Sequence, residues 1–115
     1  METTPRFIQG VFAFQGAGLN RPAPLDGKPA YTVPFDRRAQ LIYLRAGNST
    51  DVLVTLALLS NGKPIRYFPV GAKASVHVPL AVVEDLFPET RLEVVLAAPE
   101  GVAGTVVLDV GLMEI

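Results

Sequence analysis

Val52-Leu53-Val54-Thr55-Leu56-Ala57-Leu58-Leu59-Ser60-Asn61-Gly62-Lys63-Pro64-Ile65-Arg66-Tyr67-Phe68-Pro69-Val70 is the stretch that decides the fold. Asn61-Gly62 sits between two apolar arms. Both residue types tolerate positive φ, so this dipeptide favours a two-residue hairpin turn. Side chains alternate across a strand, so the first arm presents two rows. One row is Val52, Val54, Leu56 and Leu58. The other is Leu53, Thr55, Ala57 and Leu59.

The same texture extends outward in both directions. Ten glycines and ten prolines cut the chain into short pieces rich in Val, Leu, Phe and Tyr, which favour strands joined by turns over long helices. Upstream, Phe7–Phe14 and Gln40–Ala46 read as strands. Between them, prolines at 22, 24, 29 and 34 leave room for little beyond a short edge strand at Tyr31–Val33. Downstream, Ala74–Val78 reads as a strand ended by Pro79, followed by strands over Arg91–Ala98 and Thr105–Met113. Over 81–87, Val82, Val83, Leu86 and Phe87 recur at i, i+3, i+4 spacing and predict one short helix. About eight strands at this spacing predict an all-β chain: one antiparallel β-sandwich over residues 1–115, jelly-roll-like.

The downstream strands repeat the two-row pattern. Leu92, Val94, Leu96 and Ala98, and Val106, Leu108, Val110 and Leu112, are core rows. The opposite rows (Glu93, Val95, Ala97; Thr105, Val107, Asp109, Gly111, Met113) carry few polar side chains, whereas a solvated sheet face alternates apolar with polar. Hydrophobic residues are 50% of the chain and charged residues 18%, below the roughly 25% charged of ordinary soluble domains. These rows therefore predict a covered face. The expected cover is a second copy of the chain or another protein, with Leu53, Thr55, Ala57, Val95, Val107 and Met113 at the contact. The alternative cover is internal, from the Gln15–Arg38 loop with the short helix.

Composition excludes several classes of function. The chain has no cysteine, so it has no disulfide and no thiolate chemistry, which suits a cytoplasmic location. The opening Met1-Glu2-Thr3-Thr4-Pro5-Arg6 lacks the basic and apolar regions of a secretory leader. No apolar run approaches the roughly 20 residues of a membrane helix. A net charge of −1 argues against a nucleic-acid partner. The distribution is uneven: residues 1–80 hold nine Lys/Arg against four acids, and residues 81–115 one Arg against seven acids. The two segments are expected to neutralise each other in the fold.

The inventory for catalysis is thin, and neither a cofactor nor a metal is predicted. His77 is the one histidine. A zinc site needs three or four nitrogen or sulfur ligands. Ser49, Ser60 and Ser75 accompany no nucleophile-elbow motif. Glu84, Asp85 and Glu89 read as solvating carboxylates, and Gly16-Ala17-Gly18 as a flexible loop. Asn48, Thr50 and Asp51 carry oxygen donors of the kind calcium takes, but they also suit an Asx-type turn, which is the simpler reading.

Arginine and tyrosine concentrate between residues 20 and 45. Arg forks bind carboxylates and phosphates, and Tyr offers a flat amphipathic surface. Arg21, Tyr31, Arg37, Arg38, Tyr43 and Arg45 are the candidate binders of a small anionic or sugar ligand. Two functional expectations follow: a non-catalytic, self-associating interaction module, and alternatively a small-ligand or carbohydrate-binding sandwich.

Overall fold

The computed structural model describes residues 3–115, apart from the side chains of residues 81–83. Nine strands form two antiparallel sheets: β1 (Thr4–Gln15), β2 (Ala23–Pro24), β3 (Ala30–Thr32), β4 (Ala39–Asn48), β5 (Val54–Ser60), β6 (Lys63–Val70), β7 (Ser75–Leu86), β8 (Arg91–Ala97) and β9 (Ala103–Glu114). One sheet runs β1-β9-β4-β7. The other runs β2-β8-β5-β6, with β3 also pairing β8. We call them sheets A and B. Strands β2 and β3 meet successive stretches of β8, at Val95–Leu96 and Arg91–Glu93. They act as two halves of one interrupted strand. Counted so, the orders become 1-8-3-6 and 2-7-4-5, the double Greek key of a jelly roll.

The hairpin forms as its turn chemistry requires. Asn61 and Gly62 have φ of 49° and 83°, the paired positive values of a type I′ turn. The core rows read from alternation all point inward: Val54, Leu56 and Leu58 from β5, Leu92, Val94 and Leu96 from β8, and Val106, Leu108, Val110 and Leu112 from β9 are at most 2% exposed. Strand β4 departs from strict alternation. Its register shifts between Leu41 and Tyr43, so Leu41 and Leu44 both face the core while Ile42 is the extra residue of a bulge.

The short helix expected over 81–87 is not formed. The backbone there continues β7, whose Glu84, Asp85 and Leu86 pair with Leu41, Gln40 and Ala39 of β4. Ladder hydrogen bonds to β4 outweigh a short apolar pattern that also suits a strand. Pro79 does not end the strand, because β7 lies at the margin of sheet A and the missing N–H costs no central ladder bond. The same holds for Pro5 in β1, Pro24 in β2, and Pro64 and Pro69 in β6: every proline within a strand lies on an edge strand.

The Gln15–Arg38 segment is tied down. Gly16 and Gly18 N–H donate to the carbonyls of Val102 and Ala98, and Val33 N–H to Thr90. Leu25 and Val33, each 1% exposed, plug into the core. The loop tip lies over sheet B, where Leu19, Asn20 and Pro22 line one crevice with Thr55, Ala57, Tyr67 and Ala97. This corrects part of the expected contact surface. Ala57 and Val95 are 1% and 4% exposed within the single chain, so they are covered without a partner. Leu53 and Val107 are exposed, and Thr55 and Met113 are half-buried.

Buried Asn48 ends β4 and gathers the neighbouring turns. Its Nδ2 donates to the carbonyls of Val52 (2.8 Å) and Gly71 (3.1 Å), and its Oδ1 accepts from Thr50 N (2.9 Å) and Thr50 Oγ1 (2.8 Å). These oxygens are engaged within the protein, which matches the turn reading of this segment.

Candidate functional site

The outer face of sheet A carries the chemistry. Strand register places Gln9 opposite Asp109, Asp109 opposite Arg45, and Arg45 opposite His77. One polar row thus crosses all four strands. Two residues along in one direction lies the row Phe7, Gly111, Tyr43 and Pro79. In the other lies Val11, Val107, Gly47 and Ser75. A polar line bordered by aromatic and small side chains is what pleating and register produce here.

Missing side chains shape the surface. Gly47, with Val107, Ser75, His77, Arg45 and Asp109, lines an open depression of about 750 Å³. It continues past Gly47, Ser75 and Val107 into a smaller one of about 290 Å³ that reaches Lys73 and Thr105. At the aromatic end, the Tyr43 ring lies against Gly111, where a Cβ would stand 2.1 Å from Tyr43 Cε2. Only glycine accommodates so close a ring.

Tyr43 is held from several sides. Its hydroxyl donates to Asp109 Oδ1 at 2.9 Å, and Gln9 Nε2 donates to the same oxygen at 3.1 Å. The His77 ring meets it edge-on, with centroids 5.9 Å apart. The Arg45 guanidinium carbon lies 5.4 Å from the ring centroid, a cation–π contact. Burial raises the Tyr43 phenol above its ordinary pKa, and the bond to Asp109 adds to the rise. The hydroxyl therefore stays a donor at neutral pH. His77 and Asp109 do not form a catalytic pair, because β4 and its Arg45 run between their strands.

The other expected ligand residues lie elsewhere. Tyr31 donates its hydroxyl to buried Glu114, which also accepts from Arg6 Nε at 3.0 Å. Glu114 is held below the usual carboxylate range, chiefly by the Tyr31 hydrogen bond, with Arg6 adding to it and burial opposing. Arg37 contributes a favourable field to that cluster. Arg38 pairs with Asp85 at 3.5 Å and lies over the Phe87 ring. Arg21 is exposed near the loop tip. The 20–45 group is therefore split: Tyr31 and Arg37 attend Glu114, Arg38 sits with Asp85, and Tyr43 and Arg45 meet at the polar row. Their partners Gln9, His77 and Asp109 come from three other strands. The one available signal was polar residues on otherwise apolar outer rows, Asp109 on β9 above all.

No protein-family model matches the sequence, and no curated protein matches it at a significant level. Solved structures do resemble the fold. The CBM36-1 domain of a multidomain xylanase from the hindgut metagenome of Trinervitermes trinervoides superposes with a TM-score of 0.59 at 15% identity, covering 96% of each chain. A carbohydrate-binding module CBM36, solved with calcium and xylotriose, superposes with a TM-score of 0.61 at 14% identity, covering 94% of this chain and 97% of that one. At such identities the likeness concerns the fold, a jelly-roll sandwich. The donor set does not fit a calcium site: among the described residues, no three His, Asp or Glu side chains gather, and the Val52 and Gly71 carbonyls are taken by Asn48.

Proposed function

We propose that this chain is a non-catalytic carbohydrate-binding module whose site is the outer face of sheet A. The observation that carries the reading is the row Gln9–Asp109–Arg45–His77 beside a glycine-floored depression. Sugars present closely spaced hydroxyls that both donate and accept. An ordered row of amide, carboxylate, guanidinium and imidazole answers both needs. Phe7, 51% exposed across Gly111 from Tyr43, offers an apolar surface for a sugar's C–H face. The fold likeness to CBM36 modules supports the reading at the level of architecture. Titration calorimetry against a panel of plant and microbial oligosaccharides tests it. Binding should weaken about tenfold in Asp109→Ala and His77→Ala, the worth of one good polar contact. No heat from any sugar at millimolar concentration would remove it.

A second reading rests on a separate observation. Val11 and Val107 are 65% and 53% exposed and lie opposite each other across β1 and β9, with Phe7, 51% exposed, farther along the same face beyond Gln9 and Asp109. Such a patch suits self-association through this half of the sheet. A dimer mass by light scattering at micromolar concentration, reverting to monomer in Val107→Asp, is the expected result. A monomer at all concentrations removes this reading.

A further inference from the structure

We infer that the ligand of this surface is an acidic glycan, one whose sugars carry carboxylate or sulfate groups; the inference rests on the carbohydrate reading above. Among the described residues Arg45 makes no ion pair within 4 Å. The acid opposite it, Asp109, instead accepts at Oδ1 from two neutral donors, Tyr43 Oη and Gln9 Nε2. Arg45 thus keeps its N–H fork for something outside the protein, held over the Tyr43 ring at 5.4 Å. A guanidinium fork matches a carboxylate or sulfate in a paired, charge-assisted geometry.

The continuation of the depression carries a second cation. Lys73 lines it beside Ser49 and Thr105. Its contact with Asp51 is 3.7 Å long between largely exposed side chains, an arrangement that holds a lysine only weakly. Along this groove Arg45 and Lys73 face one carboxylate, Asp109, whose charge is already solvated by hydrogen bonds. A neutral glycan would leave Arg45 without an ion-pair partner and Lys73 with only its exposed contact to Asp51. An acidic one satisfies them and keeps its hydroxyls for Ser75, His77 and Asp109.

Calorimetric titration of paired probes tests this. Glucuronic-acid-bearing xylo-oligosaccharides are compared with their carboxyl-reduced forms, and sulfated oligosaccharides with their desulfated forms. The acidic member of one pair should bind about tenfold tighter in the intact protein, and in Arg45→Gln the ratio within that pair should collapse toward one. Preference for the carboxylate pair alone identifies uronate; for the sulfated pair alone, sulfate. Equal affinity within both pairs in the intact protein would overturn the inference while leaving the carbohydrate reading in place. A preference that survives Arg45→Gln in a protein of unchanged melting temperature would overturn the assignment to Arg45. Absence of binding by all four probes and by the wider panel would remove both.

Discussion

The hydroxyl of Tyr31 hydrogen-bonds the carboxylate of Glu114 and so fastens sheet B to sheet A, since Tyr31 lies on β3 and Glu114 on the last strand. Glu114 is 3% exposed. Burying a carboxylate is costly unless its charge is answered, and Tyr31 and Arg6 answer it.

Removing that answer should destabilise the fold. Tyr31→Phe keeps the ring and deletes one bond to a charged acceptor, at a cost of about 1.5–3 kcal/mol. Urea unfolding measures it. A double-mutant cycle with Glu114→Gln should return a coupling energy above about 0.5 kcal/mol; strict additivity would mean the bond contributes nothing.

The same pair sets a pH dependence at both extremes. Glu114 titrates below its ordinary value of about 4.3. Its contribution is complete above that value and is lost as pH falls through the lowered one. The Tyr31 phenol is raised, by burial first and then by Glu114. Its contribution is complete below about pH 10 and is lost as pH rises beyond it. Melting temperature against pH should show an acid limb that flattens in Glu114→Gln and an alkaline limb that flattens in Tyr31→Phe.

Asn48→Ala should cost more than a typical surface change. It removes the bonds that tie the turns together and strands the Thr50 N–H, while the Val52 and Gly71 carbonyls keep Thr50 Oγ1 and Ala74 N–H as donors. Each unsatisfied group costs about 1–3 kcal/mol. Thermal and chemical denaturation check this; a change under 0.5 kcal/mol would mean that water replaces the side chain freely.

Gly111→Ala probes the site through its floor. The added methyl would stand 2.1 Å from the Tyr43 ring, so the ring must move and release Asp109. Sugar affinity should fall about tenfold, and the near-ultraviolet circular dichroism of tyrosine should change. Retained affinity with an altered spectrum would separate Tyr43 from binding.

Calcium should leave the melting temperature unchanged within about 1 °C at millimolar concentration, because no carboxylate cluster is present among the described residues to take it. A clear upward shift would mean that backbone carbonyls and water build a site unaided.

Much of the architecture could be read from local pattern. Rows such as Leu92, Val94, Leu96 and Val106, Leu108, Val110 found the core because alternation is a property of each strand alone. Asn61-Gly62 found its turn because φ preferences are local too. The outer rows were harder. Ala57 and Val95 lie on a row whose pattern calls for a cover without naming it, and only the structure shows Leu19, Asn20 and Pro22 returning over sheet B beside Ala57. Nor does spacing along the chain connect residues 9, 45, 77 and 109. They meet through the registers of three strand pairs, each fixed by distant partners. Arg37 and Arg38 adjoin the site in sequence yet are engaged elsewhere, Arg37 at Glu114 and Arg38 with Asp85 and Phe87, because nearness along the chain says little about which partners a loop residue meets.

Strand β9 lies between β1 and β4 in sheet A, and β1 pairs with β9 alone. It is also the last of the nine to leave the ribosome. Until then sheet A has a gap at its centre: β1, with Ile8 and Phe14, waits beside a slot that no other described strand fills. Sheet B too waits for a late strand, since β8 joins β2 and β3 to β5, so only the β5-β6 hairpin and the β4-β7 pair can form early; β8 and then β9 close the two sheets in succession. The nascent chain is therefore most exposed to misassociation in the interval just before synthesis of β9 is finished.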